Sequence, residues 1–355
     1  MKDRTLSNKW IFWGINGLLA VLSLIFLLLM QGVCTALPTL NAANTWAGES
    51  DMPFAQLAYY LPNDQIVEEQ DIWNFRQTLE KQLTESALEA PENGSLYTDA
   101  YSGQSTLTVT AERGNAQVKV IGVGGDFFRF HPLLLRSGSY LAETDLMKDR
   151  VILDEELAWK LFGGMDLTGL SVTINGADYY VAGVVSREDD RYSSAAYIDG
   201  AGMFMSYSAL KACDEAVAIN CYELVMPNPI TSFAKNMVQE HFPLNGGIVL
   251  ENSSRYSLEN LLNVIGDFGK RSMGLNGIIY PYWENAVRLT EDYAALFLIL
   301  AVLFASMPCV SIVVLLVYRV KQLWRNGAKR VKNNIESAIE CRKEKKWMSA
   351  AEKRE

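Results

Sequence analysis

Histidine is almost absent from this chain: His131 and His241 are the only two. His131 has no acidic or cysteine neighbour in sequence and His241 has only Glu240, so no cluster with zinc-ligand spacing can be drawn. No Ser/His/Asp relay can be assembled around them either. Cysteine is also scarce, five residues in all, which is too few for a disulfide scaffold at this length. Cys213 and Cys221 either close a short loop as a disulfide, if they face an oxidising exterior, or are two free, buried thiols. A phosphate loop is missing as well. The nearest approach, Gly266-Asp267-Phe268-Gly269-Lys270-Arg271, has two residues between its glycines where four are required, and no Ser or Thr follows its lysine. The chain is therefore read as not an enzyme, with no cofactor or metal of its own. Its many carboxylates are explained by an acidic surface without catalysis.

What is present is a strongly segregated layout. Two apolar runs, Trp10 to Met30 and Tyr293 to Tyr318, enclose a long acidic segment. Each is long enough to cross a bilayer, which takes about 20 apolar residues in a helix. The N-terminal flank carries Lys2, Arg4 and Lys9 against Asp3, and the tail after Tyr318 carries 12 basic residues against 5 acidic ones. That leaves 17 basic and 35 acidic residues between, a net charge of −18. Because cytoplasmic flanks are enriched in Lys and Arg, both termini are expected in the cytoplasm and the large segment outside. The acidic balance excludes nucleic acid as a partner of the large segment, and the basic tail suits an anionic inner leaflet. The first run is read as a retained anchor, since its apolar core exceeds the roughly 7–15 residues of a signal peptide. Cleavage near Cys34-Thr35-Ala36 is the alternative. Val33, which is not small, argues against a lipid anchor on Cys34.

Periodicity predicts alternating strands and helices between the runs. Phe54 to Tyr60 reads as a strand and Asp64 to Glu89 as a helix, with Ile72, Phe75, Leu79, Leu83 and Ala87 on one face. Thr106 to Thr110 and Val118 to Val123 form a hairpin across a turn containing Arg113-Gly114-Asn115. A second block, about 126–202, opens with Asp126-Phe127-Phe128, a turn plus core aromatics. Asp154 is the N-cap of a short helix ended by Gly163-Gly164, and Asn175-Gly176 joins two strands by a type I′ turn. Tyr222 to Met226, Ile230 to His241 and Ile248 to Glu251 then read as strand, helix and strand. A helix capped by Ser257 presents Leu258, Leu261, Leu262, Ile265 and Phe268. From Trp283 the chain runs unbroken into the second apolar run. The predicted fold is an α+β extracytoplasmic domain between two transmembrane helices: two β-α-β halves, which must pair to bury their apolar faces, and an inserted β-rich subdomain. The boundaries are 1–9 cytoplasmic, 10–30 first helix, 31–285 outer domain, 286–318 stalk and second helix, and 319–355 basic tail. Asn93-Gly94-Ser95 and Asn252-Ser253-Ser254 fit a glycosylation pattern too short to indicate a source.

An ordered set of residues resembles a family. Asp126-Phe127-Phe128, Gly138-Ser139-Tyr140-Leu141, the run Val151 to Gly163, Leu167-Thr168-Gly169-Leu170 and Tyr180-Val181-Ala182-Gly183-Val184 look like the outer core domain of MacB-type ABC transporter permeases. The resemblance extends over residues 10 to 318. It implies a mechanical role: a permease-like subunit coupling a cytoplasmic ATPase to movements of the outer domain, in a bacterial cell membrane. Such permeases usually have four membrane helices, three of them after the outer domain, whereas one follows it here. The chain thus reads as a reduced form, needing a homodimer or a larger permease beside it. A stand-alone anchored binding or sensor module is the alternative.

Small residues at Ala301, Ala305 and Cys309 mark a candidate packing face on the second apolar helix. Asn16, Ala20 and Ser23 form a similar stripe on the first. Pro308 cannot donate to the Phe304 carbonyl and predicts a kink. In the tail, Val320, Trp324, Val331, Ile335 and Ile339 recur at helical spacing among basic residues. By the resemblance, Trp324, Arg325, Lys329 and Arg330 are candidates for contact with an ATPase; lying on the anionic leaflet is the other use of the same helix.

Overall fold

The computed structural model describes residues 2–62, 65–88, 95–197, 202–242, 246–271 and 278–351. The ends of the expected helix at Asp64 and Glu89, and the Asn93-Gly94 pattern, lie outside them, as do the side chains of Ile339 and Cys341. Two compact units are formed: Gln31–Ala295, and a helical unit of Met1–Met30 with Leu296–Glu355.

Helix α1 (Lys2–Cys34) leads through a 3-10 turn and α2 (Ala42–Ala47) into β1 (Phe54–Tyr60). Helix α3 (Glu69–Glu85) buries Ile72, Phe75, Leu79 and Leu83 at the expected spacing. It starts later than periodicity alone suggests, because Glu68 and Asp71 form a capping box that fixes its first turn. It ends before Ala87, whose φ of 53° is left-handed. Strands β2 (Thr98–Ala111) and β3 (Gly114–Gly125) make a hairpin longer than the alternating runs indicate. Ala111 pairs with Gly114, so the turn is Glu112-Arg113 and Gly114, at φ 128°, already belongs to β3.

Next come α4 (Phe127–Phe130), β4 (Leu134–Gly138), β5 (Arg150–Asp154), α5 (Glu155–Leu161), β6 (Ser171–Ile174), β7 (Ala177–Ser186) and α6 (Arg191–Ala196). Asn175 and Gly176 have φ of 51° and 82°, as a type I′ turn requires. The chain then returns through β8 (Gly202–Ser206), α7 (Tyr207–Cys213), β9 (Cys221–Pro227), α8 (Phe233–His241), β10 (Ile248–Glu251) and α9 (Leu258–Asp267) to α10 (Tyr282–Ala351).

The strands form one sheet in the order β10-β1-β9-β2-β3-β8-β5-β7-β4. The two β-α-β pieces do pair: β9 lies antiparallel between β1 and β2, and β10 adds to β1. The β-rich block is not a separate body. β8 runs parallel to β3, and β6 pairs with both β7 and β2, so β2, β3, β8, β5, β7 and β6 close into a ring. Closure removes sheet edges that would otherwise stay unpaired. Period-two alternation sorts the core. In β1, Leu57 and Tyr59 join the cluster with Ile72, Phe75 and Met226, whereas Ala58 and Tyr60 face Phe127, Phe130 and Trp283 on the other side.

In the helical unit, Ser23 Oγ donates to the Ala301 carbonyl (2.9 Å), Ser311 Oγ donates to Asn16 Oδ1 (3.0 Å), and Phe26 stacks on Phe304. Asn16, Ser23, Ala301 and Pro308 are buried, but Ala20 and Cys309 are exposed. The packed face therefore follows 301, 304 and 308, with Ala305 half-buried beside them and Cys309 outside it, because spacings of three and four track a helix face better than fours alone. α10 continues through Pro308 without interruption.

Candidate functional site at the head of the long helix

The first turns of α10 belong to the outer unit and carry a dense charge network. Arg255, in the turn after β10, is 5 % exposed. Its Nη1 donates to Glu284 Oε2 and to Asn252 Oδ1, both at 2.8 Å; Nη2 donates to Glu284 Oε1, and Nε to Glu291 Oε1 at 2.7 Å. Glu284 also accepts from Arg288 Nε (3.0 Å) and the Tyr60 hydroxyl (3.0 Å). Arg271 donates to Glu291 and, at 2.9 Å, to Asp292. Tyr256 and Thr290 share a further hydrogen bond of 2.6 Å. Buried charges persist only when paired and hydrogen-bonded, and here three arginines meet three carboxylates. The network ties the turn after β10 to one face of α10.

Trp283 packs on His131 at 4.5 Å between ring centroids, and Phe127 lies on His131 at the same distance. His131 Nε2 is 2.5 Å from Glu223 Oε2, both groups buried. This pairing was invisible in sequence because the two residues sit on distant elements; only the alternation of Tyr222 to Met226 hinted that Glu223 points away from its neighbours.

Beside this network lies a cavity of about 670 Å³, lined among others by Gln104, Lys119, Asp154, Arg187, Tyr282 and Asn285. Asp154 caps α5 through Leu157 N (2.7 Å), accepts from Gly202 N and pairs with Arg187 (2.7 Å). Burial nonetheless holds its carboxyl above the ordinary value. Gln104 Nε2, Asn220 Oδ1 and Asn285 Oδ1 line the space without a hydrogen-bond partner among the described residues. Among the described residues no group of three or more His, Cys, Asp or Glu could hold a metal ion.

The residues singled out from sequence fall elsewhere. Trp324, Arg325, Lys329 and Arg330 are exposed on α10, and Ala301 and Pro308 pack within the helical unit. Cys213 and Cys221 are free thiols, which corrects the disulfide alternative. Cys213 is half-buried against the Tyr179 hydroxyl at 3.2 Å, and Cys221 is buried in the core cluster on the opposite side of the sheet. Alternation along β9 turns its side chain away from that of Cys213.

Residues 47–222 match the family described as the MacB-like periplasmic core domain. Comparison with curated proteins finds no match. Among solved structures, the chain is similar to the periplasmic region of MacB from Actinobacillus actinomycetemcomitans, at 14 % identity over 62 % of this chain and 94 % of that one, with a TM-score of 0.41. It is also similar to the extracellular domain of the noncanonic ABC-type transporter YknZ from Gram-positive bacteria, at 16 % identity over 56 % and 99 %, with a TM-score of 0.37. The class is that of a mixed α/β domain flanked by two helices, Trp10–Cys34 and Tyr282–Ile335, long and apolar enough to cross a membrane. Over residues 47–222, just under half of its length, the chain is thus similar to the MacB-like periplasmic core domain.

Proposed function

We propose that this chain is a noncatalytic, permease-like subunit that couples a separate cytoplasmic ATPase to movements of its outer domain. One observation carries the reading: α10 starts inside the outer unit, where Arg255 and Arg271 grip Glu284, Glu291 and Asp292, and continues as one 70-residue helix into the basic tail. The charge asymmetry supports both termini in the cytoplasm. In this arrangement residues 1–9 and 319–355 are cytoplasmic, the two apolar runs cross the membrane, and a second copy or a larger permease completes the helix bundle. Trp324, Arg325, Lys329 and Arg330 form the face offered to the ATPase.

Co-purification of the full chain from its native membrane tests this. An ABC-type ATPase is expected to accompany it, and the association is expected to be weakened by Arg325→Gln, Lys329→Gln and Arg330→Gln and lost when Trp324 is mutated as well. Extraction of the chain alone, with an unchanged phenotype when the ATPase is removed, overturns the coupling role. The second reading, a membrane-anchored binding or sensor module, is favoured by the cavity and its unpartnered Gln104, Asn220 and Asn285 groups.

A further inference from the structure

Helix α9 is apolar on a face that nothing among the described residues covers. Leu258 and Leu262 are 63 % and 56 % exposed and Phe268, just beyond its end, 66 %, with Ile265 half-buried beside them. The adjoining face of the same helix buries Leu261 and Val264. Scattered exposed apolar residues are ordinary; a contiguous set on one short helix calls for a covering surface.

Its position says which surface. Arg255, before α9, grips Glu284 and Glu291, and Arg271, after it, grips Glu291 and Asp292. Both ends of α9 are thus fastened to the turn of α10 that immediately precedes the apolar run from Tyr293. A helix rises 1.5 Å per residue, so that run begins about 3 Å, along the axis, beyond Glu291, the residue that both arginines hold. The polar residues Asn263 and Asp267 point to other sides of α9, and Lys270 is exposed at its end. A helix with one apolar face, one polar face and a basic end suits the plane between headgroups and acyl chains.

We propose that α9 lies in the outer interface of the bilayer, with Leu258, Leu262 and Phe268 directed into the acyl region, so that the outer domain touches lipid through it. This rests on the reading that the run from Tyr293 crosses the membrane. The test uses the full chain in vesicles of phosphatidylethanolamine and phosphatidylglycerol, with the photoreactive residue p-benzoylphenylalanine replacing Leu262, Asn263 or Leu303 in turn. Irradiation is expected to give covalent lipid adducts at position 262, none above background at 263, and strong adducts at 303. Adducts at 303 but none at 262 overturn the placement of α9 alone; absence at both overturns the spanning reading as well. Cross-links from 262 to a second copy of the chain, instead of lipid, also overturn it by making the face a dimer contact. If the position-262 chain fails to fold, the same probe at Phe268, where an aromatic ring already stands, reads the same face.

Discussion

At the scale of single residues, the outer unit depends on buried charges whose partners lie far apart in sequence. Replacing Arg255 by Leu leaves Glu284 and Glu291 buried without their main cation, and breaking a buried pair in this way costs about 3–5 kcal/mol. Urea unfolding of the full chain in detergent is expected to show a loss of that size. Asp99 offers a pH test. Burial, the dominant influence, holds its carboxyl above the ordinary value although Arg76 and the Tyr222 hydroxyl lower it. A group raised on folding contributes stability below its unfolded value and loses it as pH rises through the folded one. Arg76→Gln raises the Asp99 value further, so its destabilisation is expected to be larger at about pH 7 than at about pH 5. Equal losses at both values would show that the pair matters through packing alone. None of these pairs was legible in sequence: Arg76 is one of many exposed-looking helix residues, and Asp99 precedes a strand-like run with no mark of burial. Asp154 was legible, because an N-cap is a local device three residues from the N–H it serves.

At the scale of elements, local chemistry predicted well and long-range chemistry poorly. The Asn175-Gly176 turn, strands Phe54–Tyr60 and Ile248–Glu251, and the Ser257 cap all appear where residue type demands them. Helix α9 illustrates the limit. Periodicity put five apolar residues on one side, yet the domain covers only part of that stripe, because periodicity reports a face and not its partner. The same holds for the pair α1 and α10, where small-residue spacing pointed to Cys309 but packing chose Pro308. Ala301 is 2 % exposed and its carbonyl receives the Ser23 hydroxyl. Enlarging it, by Ala301→Phe, is expected to separate the two helices and lower thermal stability in detergent by about 1–3 kcal/mol. Cys309→Phe, on the exposed side, is expected to change it little.

At the scale of the whole molecule, charge distribution makes the prediction most open to a direct check. A green fluorescent protein fused after Glu355 is expected to fluoresce and an alkaline phosphatase at the same point to stay inactive, because both behave so in the cytoplasm; the reverse pattern would invert the topology. The order of elements was legible from sequence, and so was the pairing of the two β-α-β pieces, since neither can bury its apolar face alone. The joining of the β-rich block to the β2–β3 hairpin was not. It depends on the β3–β8 register, Lys119–Val123 against Gly202–Ser206, and on the short contact of Val109-Thr110 with Thr173-Ile174. That closure has a mechanical consequence. An open sheet can part along one line, like a page torn at a fold, but a ring of strands must be cut in two places before anything swings apart. Motion of the outer domain is therefore expected to leave the ring whole and to fall on the loops and helices around it.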